Sequence, residues 1–391
     1  MWSEDYLRLH PQVSLKRLEE PCLYHCGSDE LYELHETALT FLARCDGARR
    51  GRELTTDAVF VNYCLDEGLL EALPHPDPAP LPITISGCQT PSLRYLELQL
   101  THRCNLRCRH CYLGPPRPEE LALEDALAIT REFAAHGGLR LLISGGEPLL
   151  YPALREFIEE TRGLQLRRVL LTNGTLLSAA TMRWLQVEEL QVSLDGWRHG
   201  HDRLRGTGSF DRTRRGLAAA RAAGIPLSIA SMVHRENISE FDRLERFTGE
   251  IGAREWGIDL LCPAGALLDH PQFLVSPDEG VPLLQRAYGG GYHGASDGFA
   301  CGRHLLTVLP SGQAVKCGFY ADESLGDARQ GLLACWRRLS HIPLTALACH
   351  DCPVLADCAG GCRFRAGAPL APDPVMCALH GVSLPPAPPS A

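Results

Sequence analysis

The sequence lacks the features of a membrane or secreted protein. No run of roughly 18 apolar residues, the length that spans a bilayer, occurs anywhere in it. The first ten residues contain no positively charged stretch followed by an apolar one, as a secretory signal peptide would. We therefore expect a cytoplasmic protein that makes no contact with a membrane.

The chain also has fewer positively charged residues than negatively charged ones. The 391 residues include 47 Asp and Glu against 38 Lys and Arg, for a net charge of -9. The phosphate backbone of a nucleic acid is therefore an unfavourable partner. The content of 45% apolar and 22% charged residues is typical of a globular protein with a large core, which excludes disorder and coiled coil as the main structure.

Cysteine, by contrast, is abundant, with 17 residues in the chain. This is more than an average cytosolic enzyme contains and too few for a small disulfide scaffold. Because glutathione keeps cytosolic thiols reduced, clustered cysteines in that compartment are more often metal ligands or catalytic groups than disulfides. Their spacing along the chain has to decide between these roles.

Composition and periodicity divide the chain into three parts. Residues 1–85, which end in the Pro-rich segment 77–84, combine three short strand-like runs with helical stretches at Glu36–Cys45 and Thr56–Leu73, and predict a small winged-helix-like module. Residues 86–292 alternate six strand-like runs with amphipathic helices, which predicts an α/β fold, a partial (β/α)6 barrel with its site at the carboxyl ends of the strands. Residues 293–391 are rich in Gly, Pro and Cys and predict a loop-rich domain held together by metal, with a second Pro-rich segment from Pro385 to the end.

The predicted strands and helices are specific. The strands of the first part are Val13–Leu18, Cys22–Cys26 and Leu31–Leu34. Those of the barrel are Tyr95–Leu100, Leu139–Ile143, Arg168–Leu171, Leu190–Leu194, Leu227–Met232 and Trp256–Leu261, with helices such as Glu119–Ala135 and Phe210–Ala223 between them.

Three cysteines follow the first barrel strand on one predicted loop. Cys104, Cys108 and Cys111 lie within eight residues of one another. Three thiolates so placed can bind one face of a [4Fe–4S] cluster and leave the fourth iron open to a further ligand. A zinc ion or a few buried structural thiols are the alternatives that these three residues leave open.

The second barrel strand ends in a short motif suited to ligand binding. Gly145 and Gly146 let the backbone approach a ligand closely, Glu147 can accept hydrogen bonds from an ammonium group, and Pro148 stiffens the turn. The motif alone is weak evidence. Its position one βα unit after the cysteine loop makes the zinc and structural alternatives much weaker.

Together, the cysteine loop and this motif resemble those of the radical S-adenosylmethionine (SAM) superfamily. The resemblance implies that the open iron binds the amino and carboxylate groups of SAM, that Gly145 to Pro148 hold the methionyl amine, and that Tyr112 lies beside the adenine. It also implies that one electron cleaves SAM to methionine and a 5′-deoxyadenosyl radical, which takes a hydrogen atom from the substrate inside a dry barrel. An electron donor such as flavodoxin or ferredoxin is then expected as a partner.

Two weaker candidates lie near the ends of later strands. Ser193 and Arg205 resemble positions that help to hold SAM in the family, Arg205 by pairing with the methionyl carboxylate. Asn173 is a less specific candidate of the same kind, because Asn-Gly pairs are also common turns. A lone arginine in a loop is also commonly part of a surface ion pair, so a structural role is the alternative for Arg205.

Seven further cysteines follow residue 300 in a regular order. They are Cys301, Cys317, Cys349, Cys352, Cys358, Cys362 and Cys377. The order resembles the SPASM extension of radical SAM peptide-modifying enzymes, although Cys349 and Cys352 alone would also suit a zinc ribbon. The resemblance implies two auxiliary [4Fe–4S] clusters, one on Cys349, Cys352, Cys358 and Cys377 and the other on Cys301, Cys317 and Cys362, so that with the SAM-binding cluster the chain would hold three.

The second of these auxiliary sets is one ligand short. Cys262, at the end of the sixth barrel strand, either supplies the fourth thiolate or is a buried structural residue, and an open iron could instead bind a substrate thiolate. Of these, the structural role is expected for Cys262. Core packing is also expected for the cysteines outside both sets, which are Cys22, Cys26, Cys45, Cys64, Cys88 and Cys335.

Residues 13–73 resemble the small peptide chaperone of the pyrroloquinoline quinone pathway, the type member of the recognition elements for ribosomally made, modified peptides. The resemblance is carried by the Leu34-His35-Glu36 junction, the Cys45-Asp46-Gly47 helix end and the segment 67–70. It implies that a leader peptide adds as a strand beside the third strand, packs on the last helix and so concentrates the rest of the peptide at the barrel. A DNA-binding winged helix is the disfavoured alternative, because Asp57–Leu73 is acidic.

The sequence as a whole therefore predicts a radical SAM/SPASM maturase that oxidatively modifies a precursor peptide. A thioether or carbon–carbon crosslink between side chains is the leading product. Decarboxylation or epimerisation of a single residue is one alternative, and formylglycine formation by a sulfatase maturase is another, disfavoured because Gly318 and not a carboxylate follows Cys317. An iron–sulfur electron carrier or peptide-binding module is the alternative outside the enzymes, which the complete cysteine loop and the Gly145–Pro148 motif disfavour.

Overall fold

The computed structural model of the chain describes residues 2–55, 57–78, 83–87, 91–291, 293 and 298–384. The strands within them are β1 (Tyr6–Leu9), β2 (Val13–Arg17), β3 (Pro21–His25), β4 (Glu30–Glu33), β5 (Asp46–Arg50), β6 (Leu70–Leu73), β7 (Ser86–Gly87), β8 (Tyr95–Thr101), β9 (Arg140–Gly145), β10 (Arg167–Thr172), β11 (Glu189–Ser193), β12 (Leu227–Val233), β13 (Glu255–Leu260), β14 (Leu305–Val308), β15 (Gln313–Val315) and β16 (Gly326–Asp327). The α-helices are α1 (Glu36–Leu42), α2 (Gly51–Leu54), α3 (Ala58–Asp66), α4 (Leu123–Ala135), α5 (Leu154–Glu160), α6 (Ala179–Met182), α7 (Arg198–Arg205), α8 (Ser209–Ala222), α9 (Phe241–Glu250), α10 (Pro277–Leu284), α11 (Leu332–Trp336), α12 (Leu355–Cys358) and α13 (Pro374–Leu379).

A nine-stranded sheet forms the centre of the molecule, in the order β13-β12-β11-β10-β9-β8-β14-β15-β16. Strands β8 to β13 are parallel to their neighbours and follow chain order, which confirms the six predicted barrel strands. Strand β14 continues the sheet in parallel beside β8, and β15 and β16 follow as antiparallel strands. The sheet is therefore mixed, and residues beyond 293 contribute to it.

The two faces of this sheet differ in polarity because side chains alternate along each strand. On β8, Leu96, Leu98 and Leu100 are fully buried in the core beneath the covering helices. Glu97 points to the opposite, concave side and lines the central cavity. The apolar face holds the helices in place, and the concave face is free to carry polar groups.

The first 87 residues fold around two small sheets, ordered β5-β1-β6 and β4-β3-β2-β7. Strands β2, β3 and β4 confirm the three strands predicted for this part. The helix predicted over Thr56–Leu73 is wrong in its second half: α3 ends at Asp66, and Leu70–Leu73 form β6, which pairs with β1. The change occurs at Gly68, whose φ of 67° ends the helix at no steric cost.

The turn between β3 and β4 packs against the start of two barrel strands, β9 and β10. Asp29 in this turn forms an ion pair with Arg140 of β9 at 2.5 Å and accepts a hydrogen bond from Tyr24 Oη at 2.7 Å. Arg167 of β10 donates to the backbone carbonyls of Cys26 and Gly27. Burial opposes ionisation of Asp29, but the hydrogen bond from His293 and the charge of Arg140 outweigh it and hold the pKa of Asp29 below its usual range. The turn is thus fixed to the barrel by buried charge.

Some features predicted from the sequence lie outside the residues that the structure describes. The Pro-rich segment 77–84 lies partly outside the described residues, and Cys88, Thr56 and the Pro-rich end from Pro385 lie wholly outside them. None of the described helices combines the length and apolar character needed to cross a lipid bilayer.

Candidate active site

The three-cysteine loop lies at the carboxyl ends of the barrel strands, between β8 and α4. Cys104, Cys108 and Cys111 line one cavity. Each thiol lies close enough to at least one of the other two for their charges to influence each other's pKa. The same cavity is lined by Tyr112, Ser144, Gly145, Gly146, Thr172, Asn173, Ser193 and Arg205. Residues from four successive strand ends, predicted separately from the sequence, therefore meet in one place.

The protein environment of these thiols favours their neutral form. Burial raises the pKa of Cys108 to about 12 and also raises the pKa values of Cys104 and Cys111, while the charge of Arg205 opposes the rise in each case. A bound cationic centre deprotonates such thiols, and a set of sulfur donors on one loop suits an iron–sulfur cluster. Among the described residues, no three His, Cys, Asp or Glu side chains are arranged as ligands of a single metal ion.

The two glycines at the end of β9 are required by packing. A Cβ atom on Gly145 would lie 2.3 Å from the carbonyl oxygen of Thr101, and one on Gly146 would lie 2.4 Å from that of Arg103. Gly146 N donates to the Thr101 carbonyl at 2.7 Å. The end of β9 therefore packs directly against the start of the cysteine loop. This packing requires glycine at both positions, which the sequence alone does not reveal.

Glu147 is held by hydrogen bonds at the ends of two neighbouring strands. Its buried carboxylate accepts hydrogen bonds from Thr172 Oγ1 at 2.8 Å, Asn173 N at 2.9 Å and Leu149 N at 3.2 Å. Burial raises the pKa of Glu147, and these hydrogen bonds oppose the rise. The side chain joins the ends of β9 and β10, and it is the preceding segment, Ser144 to Gly146, that lines the cavity. Binding of an ammonium group by Gly145 to Pro148 stays a prediction.

Tyr112 connects the cysteine loop to the C-terminal part of the chain. Its half-buried ring packs on Phe319 with centroids 5.0 Å apart, and its hydroxyl lies 3.4 Å from Glu97 Oε1. A Cβ atom on Gly318 would lie 2.5 Å from the Tyr112 ring. A side chain at position 318, such as the carboxylate expected of a sulfatase maturase, would therefore require the Tyr112 ring to move.

Glu97 is a cavity residue that the sequence analysis missed. Its carboxylate accepts hydrogen bonds from Ser144 Oγ and Thr307 Oγ1, each at 2.8 Å, and so joins β8 to both neighbouring strands. The signal was present in the sequence, since Glu97 alternates with the leucines of β8 and therefore lies on the face opposite the core.

Arg205 occupies the last turn of α7 and faces the cavity. It forms an ion pair with the fully buried Asp195, which also accepts a hydrogen bond from Met232 N at 2.9 Å. Burial opposes ionisation of Asp195, but Arg205 and His110 outweigh it and hold the pKa of Asp195 below its usual range. The guanidinium is thereby fixed beside the cysteine loop, and Ser193 lines the cavity next to it.

Two histidines, the half-buried His110 and the fully buried His201, lie beside this ion pair and were also missed. Burial lowers the pKa of His110 to about 3 and that of His201 to about 4, so both rings are neutral near pH 7. His201 Nδ1 accepts a hydrogen bond from Asp195 N at 3.2 Å. The two rings add polar groups around the Arg205–Asp195 ion pair. In the sequence, only the position of His110 between Cys108 and Cys111 could have indicated a role at this site.

The C-terminal cysteines form two groups. Cys349, Cys352, Cys358 and Cys377 lie within electrostatic range of one another. In the second group the Cys362 thiol contacts the thiols of both Cys301 and Cys262, and Cys317 lies within electrostatic range of Cys362. Cys262 is buried, as expected, but it lies against a candidate cluster ligand. The cysteines outside both groups that the structure describes, Cys22, Cys26, Cys45, Cys64 and Cys335, are all buried.

Comparison with known proteins agrees with this geometry. Residues 98–248 match the model of the Radical SAM superfamily. The AdoMet-dependent heme synthase of Oleidesulfovibrio alaskensis is 34% identical over 207 residues, 51% of this chain and 53% of the relative, so the chain spans about half the length of that protein. The mycofactocin maturase MftC of Mycobacterium tuberculosis is 29% identical over 71% of this chain and 81% of its own length.

A solved structure shares the fold across almost the whole chain. The crystal structure of Streptococcus suis SuiB bound to S-adenosylmethionine superposes with a TM-score of 0.68 at 16% identity, covering 95% of this chain and 99% of SuiB. The family match begins on β8, runs through the three-cysteine loop and the Gly145–Pro148 motif, and ends in α9. On this evidence the chain contains a radical SAM domain over residues 98–248.

Proposed function

We propose that the chain is a maturase that uses SAM to modify a ribosomally made precursor peptide, most favourably by an oxidative crosslink between side chains. The observation that carries the proposal is the SuiB-like fold over 95% of the chain, since SuiB has also been solved with its precursor peptide SuiA. The similarity to MftC over 71% of the chain supports the same class of substrate.

The cavity residues have distinct parts in this proposal. Cys104, Cys108 and Cys111 would hold a [4Fe–4S] cluster, which together with bound SAM would supply the radical chemistry for taking a hydrogen atom from the peptide. Arg205, fixed by Asp195, faces the cavity where the methionyl carboxylate would pair with it. With substrate bound, the walls of the cavity would keep water away from the reacting C–H bond.

The C-terminal part, residues 293–391, would hold two auxiliary clusters that accept the second electron as the new bond closes. One is bound by Cys349, Cys352, Cys358 and Cys377. For the other, contact of Cys262 with Cys362 favours Cys262 as the fourth ligand beside Cys301, Cys317 and Cys362. Four protein thiolates would leave no iron open, so a substrate thiolate would not need to bind there.

The N-terminal part, residues 1–85, offers a surface suited to a leader peptide. Strand β4 lies at the edge of its sheet among the described residues, and an edge strand presents unpaired backbone groups to an added strand. Next to it, α3 exposes Val59 to 82% and Tyr63 to 45%. Tyr32 of β4 lies within electrostatic range of Tyr63. We define the leader groove as β4 together with this face of α3, and the barrel over residues 86–292 would receive the rest of the peptide.

Replacing Val59 with aspartate is expected to weaken leader binding about tenfold or more, because an unpaired charge would be buried under the peptide. Fluorescence anisotropy of a labelled leader from the precursor encoded beside the gene measures the dissociation constant. Leu370→Asp is the matched control, since Leu370 is another exposed apolar residue, at 47%, outside the groove. Equal affinity of the Val59→Asp variant and the control would place the leader elsewhere.

The reaction itself is tested by the mass of that precursor after anaerobic incubation with reconstituted protein, SAM and a strong reductant. We expect a loss of about 2 Da together with release of 5′-deoxyadenosine, as this cofactor chemistry permits for one oxidative bond. Unchanged mass with deuterium uptake from heavy water would show epimerisation, and a loss corresponding to carbon dioxide would show decarboxylation. An unmodified peptide that has bound the leader groove would contradict the proposal.

A further inference from the structure

A strongly basic surface lies on the outside of the barrel, on a chain whose net charge is -9. Residues 197–221, which span α7 and α8, contain seven arginines against two aspartates. A shallow depression on this surface is lined by Arg109, Arg198, Arg203, Arg214 and Arg243 around the ring of Trp197, against the two carboxylates of Asp202 and Glu240. We call these five arginines the arginine face.

Several charges of the arginine face are available to a partner. Arg214 and Arg243 are exposed and stack over Trp197, with guanidinium carbons 5.0 Å and 4.0 Å from the ring centroid. Neither has an ion pair with a carboxylate of the described residues, whereas Arg198 pairs with Asp211 and Arg203 with Glu236. Stacking on an aromatic ring holds a guanidinium in place without neutralising it. The depression therefore has more arginines than carboxylates in its lining, and the guanidinium groups of Arg214 and Arg243 are held in place on its surface.

The arginine face lies directly behind the three-cysteine loop. Arg109 is adjacent to Cys108 in the chain, its backbone N–H donates to Leu204 O of α7 at 2.9 Å, and its side chain donates to the carbonyl of Arg203. One side of α7 thus faces the cavity through Arg205, and the other faces solvent through Arg198 and Arg203. Only this helix and the loop itself separate the surface from the cysteines.

We propose that the arginine face is the docking surface for a small acidic one-electron carrier of the flavodoxin or ferredoxin class, which reduces the cluster held by Cys104, Cys108 and Cys111. The inference rests on the proposed use of SAM, because SAM cleavage requires one electron from outside the chain. The step moves one electron from the reduced carrier to the cluster, and no bond is made or broken.

Charge complementarity selects this partner over others. Electron carriers form small, transient interfaces in which steering by opposite charge sets the association rate. A precursor peptide has to reach the cavity, which lies on the other side of α7, and its leader is provided for by the leader groove. The depression is also confined to α7 and the N-terminal turns of α8 and α9, which is too short a track for a nucleic-acid backbone.

The experiment compares binding and electron transfer in the full-length, cluster-loaded protein, with a bacterial flavodoxin as the probe. In one variant Arg198, Arg214 and Arg243 are each replaced by glutamate, and in a second by glutamine, which retains size and removes only charge. The control variant replaces Arg131, Arg155 and Arg162, exposed arginines of α4 and α5 or directly after α5, by glutamate. Flavodoxin affinity, its dependence on salt, and the rate at which photoreduced flavodoxin bleaches the cluster absorbance are measured.

We expect the glutamate variant to bind flavodoxin at least tenfold more weakly at low salt and the glutamine variant to fall between it and the unchanged protein. The control is expected to bind normally, and dithionite is expected to reduce the cluster equally in all four proteins. Equal flavodoxin affinity and reduction rate in the glutamate variant would overturn the proposal, as would equal losses in the control. A loss of precursor binding in place of flavodoxin binding would also overturn it and assign the surface to the peptide. None of these measurements depends on peptide modification, so failure of the proposed function would be seen separately.

Discussion

SAM cleavage is expected to fall to the level of the enzyme-free reaction when Cys104, Cys108 and Cys111 are all replaced by alanine. The three thiols line the cavity and are the sulfur donors among its lining residues. Without them no cluster binds at this position, and no electron reaches SAM there. Formation of 5′-deoxyadenosine, measured by liquid chromatography with dithionite as the reductant, gives the result directly, and iron content should fall by about four atoms per chain.

Cys335→Ala provides the matched control for this triple variant. Cys335 is buried, 1% exposed, and lies in α11 outside both cysteine groups and the loop. Its replacement is expected to leave SAM cleavage and iron content unchanged. Retention of cleavage by the triple variant, with a normal circular dichroism spectrum, would refute the assignment of the loop as the cluster site.

Replacing Cys262 with serine is expected to damage one auxiliary cluster while sparing the SAM-binding one. The Cys262 thiol contacts Cys362, and the fourth ligand of that cluster is otherwise missing. We expect up to about four fewer iron atoms per chain, or a cluster with an altered electron paramagnetic resonance signal. Release of 5′-deoxyadenosine should continue, and formation of the oxidised peptide should fall because one of the two proposed acceptors of the second electron is lost.

The comparison for Cys262 is Cys335→Ser, which makes the same change at another buried thiol. An altered iron content in Cys335→Ser as well would indicate loss of folding and not loss of a ligand. Unchanged iron and an unchanged resonance signal in Cys262→Ser would return Cys262 to the structural role that the sequence favoured.

The barrel strands were predictable because each is an apolar run followed by an amphipathic helix. Strands β8 to β13 pair with neighbours in chain order, so local pattern and tertiary structure agree. The N-terminal strands β1 and β5 were missed, and β6 was mistaken for helix, because their pairing is non-local: Tyr6 of β1 lies opposite Leu73 of β6. A short apolar run such as Leu69–Leu73 fits either structure until its partner is known. Strand β14, which adds to β8 through Leu305 opposite Tyr95, was missed for the same reason.

The site follows the same division. The cysteine loop and the glycines of β9 were found from spacing alone, because each consists of residues that lie close together in the sequence. The hydrogen bonds of Glu147 to β10, the contact of Cys262 with Cys362 and the position of Glu97 arise only when distant segments meet. The arginine face was hidden by the negative net charge, because a total does not show where charge is placed.

The turn between β3 and β4 limits how the N-terminal part of the chain can be deleted or exchanged. Removing it would leave Arg140 without its counter-ion at the end of the barrel, and stranding one partner of a buried pair typically costs about 3–5 kcal/mol. Deleting the first 85 residues would therefore destabilise the barrel as well as remove the leader groove, and lost activity in such a truncation would not measure leader recognition. A chimera meant to accept a foreign leader should instead exchange α3 and the outer edge of β4, and keep residues 25–29 with the barrel that they close.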